Sequence, residues 1–136
     1  MTTEYRKPLP LRTEENAAYL DGLKQRQLLL QRCAECREYR YPPSMHCPRC
    51  LSDRAEWARA SEGGSVYSFI ILHQPYHPGF RDDLPYNVAV VELDEGPRVV
   101  TNIVGCANED ISIGMPVTAE FFDATGEATI LKFRPT

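Results

Sequence analysis

Two Cys-x-x-Cys pairs, Cys33 with Cys36 and Cys47 with Cys50, stand ten residues apart in this chain of 136 residues. Each pair fits a tight turn, and two such turns bring four thiolates to the corners of a tetrahedron about 2.3 Å from a zinc ion. Residues 27–59 are therefore expected to fold as a rubredoxin-like zinc ribbon holding one ion per chain. Four protein ligands leave no position open to water or substrate, so the ion is structural. Pro48 stiffens the second turn, RYPPSM supplies the tip of a hairpin between the turns, and QLLLQR reads as the strand leading in. Rubredoxin-like iron is the competing metal. Unliganded buried cysteines would not fall into two matched pairs, and a thioredoxin-like redox site uses one pair on a βαβ unit that this sequence lacks. His46 is expected outside the ligand set, and Cys106, with no histidine near it in sequence, reads as a small packing residue.

The flanking segments have different periods. After the arm KPLPLR, Thr13 reads as a helix N-cap followed by Glu14 and Glu15, and Ala17, Tyr19, Leu20 and Leu23 form an apolar stripe ending by about Arg26. That face packs on its own domain or, in a sharper reading, on a partner. From residue 60 on, five short runs rich in Val, Ile, Phe and Thr follow: GGSVYSFIILH, YNVAVVELD, PRVVTNIVG, MPVTAEFFD and ATILKFR. Glu95 and Gly96 make a tight hairpin between the second and third, Gly114 and Pro116 punctuate the start of the fourth, and the adjacent Gly63 and Gly64 read as a turn or bulge. Five strands in this length suggest a five-stranded OB-fold barrel, with an SH3-like barrel as the rival. The chain is thus read as mainly β: arm and helix over 1–26, ribbon over 27–59, barrel over 60–136.

Charge narrows the function. Residues 1–59 carry eleven Lys and Arg against eight Asp and Glu, whereas residues 60–136 carry four against eleven. A nucleic-acid-binding barrel needs a basic face, because phosphate neutralisation supplies most of the affinity, so an acidic barrel argues against a single-stranded nucleic-acid-binding protein, the alternative function for this architecture. No nucleophile elbow, phosphate-cradling glycine loop or His–carboxylate pairing is evident, and Glu92 and Asp94 read as a solvated strand face. No apolar run is long enough to span a bilayer and the first residues lack a secretory signal's apolar core; with five cysteines and no disulfide pattern, the expected compartment is the cytoplasm.

The pieces LQRCAEC, RYPP, CPRC, VYSF, PY with VELDEG, and IGMPV occur in one order over about residues 9–133. This arrangement resembles the zinc-ribbon and OB-fold family catalogued as domain of unknown function 35. The chain departs from the family in carrying Arg37 where a glycine usually follows the first knuckle, adjacent glycines before VYSF instead of G-x-G, and AAYL where many members have Phe-Trp. The resemblance implies a non-catalytic accessory subunit: a partner of thiolase-fold acyltransferases or aldolases, or of acyl-CoA hydratases, including those that shorten sterol side chains, which helps to form their acyl-CoA site. On that reading the proline-rich stretch HQPYHPGFRDDLPY, at 73–86, joins the first two barrel strands and presents Tyr76, His77, Phe80, Arg81 and Tyr86 to the partner or to acyl-CoA, the prolines limiting the entropy lost on binding. The plainer reading is that the prolines end strands and the rings cap the barrel.

Overall fold

The computed structural model describes residues 5–136, so residues 1–4 of the expected arm lie outside the described residues. One helix and eight strands follow in chain order: α1 (Ala17–Lys24), β1 (Leu29–Cys33), β2 (Tyr39–Arg40), β3 (Ala55–Arg59), β4 (Gly63–Leu72), β5 (Tyr86–Leu93), β6 (Arg98–Thr101), β7 (Pro116–Asp123) and β8 (Thr129–Pro135). Short 3₁₀ turns occupy Pro78–Asp83 and Asn108–Asp110.

The helix starts a turn later than its sequence suggests. Thr13 does act as a cap, because its Oγ1 accepts from the Asn16 N–H while Asn16 Oδ1 accepts from the Thr13 N–H. That reciprocal pair closes a separate turn over 14–16, and α-helical bonding begins at Ala17. Tyr19 and Leu23 are buried, and the helix docks on its own molecule, against β1 and the β7–β8 pair. Gly22 is not merely a weak helix residue: a Cβ there would lie 2.9 Å from the Leu29 side chain, so the glycine permits the close approach to β1. Arg26 then reaches Asp123 on β7 with both guanidinium nitrogens, and that contact holds the Asp123 carboxyl down at about 2.

Strands β2, β1 and β3 form a three-stranded antiparallel sheet, and β6-β5-β4-β7-β8 form a five-stranded one. All five expected barrel runs are present as strands, the third shortened to Arg98–Thr101. The sheet curls until its ends meet at a parallel bridge between Ile103 and Phe133. That order and closure define the OB barrel and dismiss the SH3-like alternative. Gly63 and Gly64 form no turn. They begin β4, where a Cβ on Gly64 would sit 2.5 Å from the Glu92 carbonyl, while the bulge falls between Val66 and Ser68. Glu92 pairs with Arg98 on the outer surface. One continuous core joins Tyr19, Leu23, Leu28 and Leu30 to barrel residues such as Val66, Val91, Val117 and Phe133. No helix among the described residues is long and apolar enough to cross a membrane.

Candidate metal centre and barrel mouth

The metal centre is made by two turns of the same design. In the first, the Cys33 N–H donates to the Glu38 carbonyl and the Arg37 N–H to the Cys33 carbonyl; in the second, Cys47 donates to Ser52 and Leu51 donates back to Cys47. Each turn closes through a residue in the left-handed region, Arg37 at φ 67° and Leu51 at φ 65°. Neither is glycine, so each carries a steric cost that glycine would avoid. The four Sγ atoms all lie within 4.8 Å of one another, with Cys33 and Cys50 at 3.5 Å and Cys36 and Cys47 at 3.6 Å. Tetrahedral zinc with Zn–S bonds of about 2.3 Å needs S···S edges of about 3.8 Å, so the donor set fits one such ion.

Backbone dipoles prepare the ligands. The Cys36 N–H points at Cys33 Sγ and draws its thiol down to about 6, and the Cys50 N–H lowers Cys47 in the same way. Cys36 moves the other way, up to about 12: the Glu38 N–H favours its thiolate, but burial and the neighbouring sulfurs outweigh it. Four thiolates at this spacing need a cation to coexist. Ion pairs Arg37–Glu56, Arg49–Glu38 and Arg54–Glu35 ring the site, and His46 is exposed, outside the cluster. The hairpin tip is secured from β1: Gln31 Oε1 accepts from the Ser44 N–H at 2.8 Å and from Arg40 Nε at 3.1 Å.

The 73–86 stretch forms the connection between β4 and β5. His77 Nδ1 accepts from the Gly79 N–H at 3.0 Å and its ring meets Phe80 edge-on, so this histidine holds the turn. Phe80 stacks on Tyr86 with ring centroids 4.9 Å apart, whereas Tyr76, 75% exposed, and Arg81 face solvent away from that stack. Phe80 and Tyr86 line a cavity of about 480 Å³ at the barrel mouth. The sequence reading did not pick out its other walls. Lys132 of β8 donates to Asn102 Oδ1, and burial, with the Lys7 charge next, pulls its ammonium below the usual lysine value. Lys7, from the N-terminal arm, stands over the Phe80 ring and 2.6 Å from Asp83. Buried Asn87 fastens the rim, donating to the Ile103 carbonyl and accepting from the Ile103 N–H. Lys132 lies 46 residues beyond Tyr86, and only the arm's basic run beside prolines could have hinted at Lys7. Cys106 is half-buried against the core and its thiol is pushed up by burial, as befits a packing residue.

A closed four-thiolate ribbon sharing its core with an OB barrel, whose mouth combines stacked rings and lysines, defines a metal-stabilised binding module. The family profile described as the ChsH2 rubredoxin-like zinc ribbon domain matches residues 20–56, and that of the ChsH2 C-terminal OB-fold domain matches residues 57–122. The chain belongs to this zinc-ribbon and OB-fold family, also called DUF35. A solved structure described as the Ltp2-ChsH2(DUF35) aldolase contains a chain 46% identical to this one, superposing with a TM-score of 0.84 over 93% of this chain and 98% of that one. The probable enoyl-CoA hydratase alpha subunit of Thermomonospora curvata is 46% identical over 129 residues, 95% of this chain but 40% of that protein. The DUF35 domain-containing scaffold protein of Methanocaldococcus jannaschii is 36% identical over 101 residues, covering 73% of this chain and 71% of that one. The chain thus spans about two fifths of the hydratase relative.

Proposed function

We propose that the chain is a non-catalytic accessory subunit of a cytoplasmic acyl-CoA-processing complex. It binds a thiolase-fold aldolase or acyltransferase, or an acyl-CoA hydratase, and helps to form that enzyme's acyl-CoA site in lipid or sterol side-chain breakdown. The observation that carries this reading is the 46% identity to the DUF35 chain of an aldolase complex, extending over 98% of that chain. The barrel mouth supports it physically. Stacked Phe80 and Tyr86 offer an apolar wall, Lys132 offers an ammonium beside the Lys7–Asp83 ion pair and Glu120, and exposed Tyr76 and Arg81 stand ready for a partner surface, a carboxylate or a phosphate. His77 shapes the turn that presents them.

The test is affinity co-purification of the tagged chain from its host, with zinc counted per chain. A stoichiometric aldolase, thiolase-like or hydratase subunit with about one zinc per chain is the expected result. Nucleic acid released by salt in its place would overturn the reading. In the complex, the paired substitution Tyr76→Ala with Phe80→Ala should lower affinity or acyl-CoA turnover at unchanged zinc content. Arg81→Glu repeats the test at an exposed residue outside the Phe80–Tyr86 stack.

A further inference from the structure

The middle of β5 is apolar on both faces. Asn87, Ala89, Val91 and Leu93 point inward and are buried, while the outward face runs Tyr86, Val88, Val90 and then Glu92, which pairs with Arg98. Neighbouring strands extend that outer surface: Ile70 stands opposite Val88, Val100 opposite Val90, and these two are 56% and 70% exposed. An antiparallel strand with one wet face alternates apolar with polar residues, and the outward aliphatic pair Val88 and Val90 departs from that pattern. In this chain alone Ile70 and Val100 lie open to water.

β6 adds an open edge to that face. The Leu93 N–H donates to the Pro97 carbonyl, so the ladder bonds fall at 93/97, 91/99 and 89/101. The N–H and C=O groups of Arg98 and Val100 therefore point away from β5. The sheet order leaves β6 at the end of the sheet, and among the described residues these backbone groups have no partner. β8 approaches only further along, where Thr101 Oγ1 donates to the Leu131 carbonyl at 3.0 Å and Ile103 bridges to Phe133. Before that point a groove of about 360 Å³ opens between the strands, lined by Tyr19, Leu23, Pro42, Pro43, Val100 and Ile130 among others, and no residue lining it is charged.

Another backbone in extended form is what saturates an open strand edge in register, and the absence of any charge in the groove selects an apolar occupant by complementarity. The accessory-subunit reading supplies a catalytic subunit as that occupant, and a second copy, whose own β6 carries the same open edge, is the competitor the experiment separates. We propose that the β6 edge receives an extended apolar segment of the catalytic subunit, which adds as a further strand beside Arg98–Thr101 and seats alternate aliphatic side chains between Val100 and Ile130. The proposal rests on the accessory-subunit reading and names the surface that subunit uses.

The experiment is amide hydrogen exchange on the full zinc-loaded chain, alone and with an aldolase subunit of the Ltp2 kind or a hydratase subunit from the same genome. The Arg98 and Val100 amides exchange fast in the free chain and should slow by roughly tenfold or more in the complex. Val100→Lys, at an exposed position, should weaken that complex by roughly tenfold or more with zinc content and melting temperature unchanged. Unaltered exchange and affinity overturn the edge proposal while the accessory reading stands, since the wild-type chain still binds. A wild-type chain that binds neither subunit overturns both. A concentration-dependent dimer that protects the same amides and is split by Val100→Lys gives the edge to a second copy and overturns the proposal as well.

Discussion

The ribbon tip and the barrel are held together by different physics. Barrel residues Phe133, Val66, Val91, Val99 and Val117 are each at most 1% exposed, so its cohesion comes from apolar surface removed from water. Beyond β1 the ribbon buries Cys47 and Arg40, rests Tyr39, Tyr41 and Trp57 on the shared core, and is otherwise held by thiolates converging on one ion, ringed by exposed ion pairs that individually contribute little. The two regions nevertheless share a boundary. Leu28 and Leu30, leading into and within β1, belong to the same core as the barrel and tie the base of the ribbon to it. Cohesion at the ribbon tip is thus linked to metal, pH and thiol oxidation, and in the barrel chiefly to packing.

The strongest way to break this contrast is to remove the ion, by chelation or by Cys47→Ser. Structural zinc sites contribute roughly 10–16 kcal/mol of apparent binding energy, so residues 33–54 should lose their order while the Val91 and Val117 amides stay protected from exchange. Simultaneous melting of both regions would show one cooperative unit. Next in size is Phe133→Ala, which empties the centre of the barrel and should cost about 3–5 kcal/mol in denaturant unfolding, with one zinc per chain retained in the folded fraction. The smallest effect sharpens the contrast. Leu51 is 74% exposed and sits at φ 65°, so Leu51→Gly should relieve about 1 kcal/mol of backbone strain and tighten zinc about fivefold in competition with a chelator, without moving the stability of the barrel.

Much of the fold was legible because its signals are local. Two matched Cys-x-x-Cys pairs announce their geometry by spacing, and the run at 86–93 is bounded by Pro85 and by the Gly96 turn, whose φ of +116° the glycine allows. The start of α1 was misread because Thr13 caps a turn that the helix does not continue, a distinction no capping residue reveals by itself. The glycines at 63 and 64 were misread for a similar reason. Their role is set by the Glu92 carbonyl on a strand nearly thirty residues away, not by their neighbours. The loop residues named from the sequence were divided by the structure: Phe80 and Tyr86 stack in the mouth, His77 braces the turn, and Tyr76 and Arg81 stay outside.

By itself the sequence determined the metal ligands, the strand content and the acidic character of the barrel, since each depends on residue type and short-range spacing. Only the tertiary structure decided that Lys7 and Lys132 share a mouth with the rings of the 73–86 loop, and that β6 keeps an edge unpaired among the described residues, beside an uncharged groove. Those features arise where curling of the sheet brings β8 and the N-terminal arm to the loop and leaves β6 and β8 apart before Thr101, and pairing between segments so distant along the chain leaves no local signature in either.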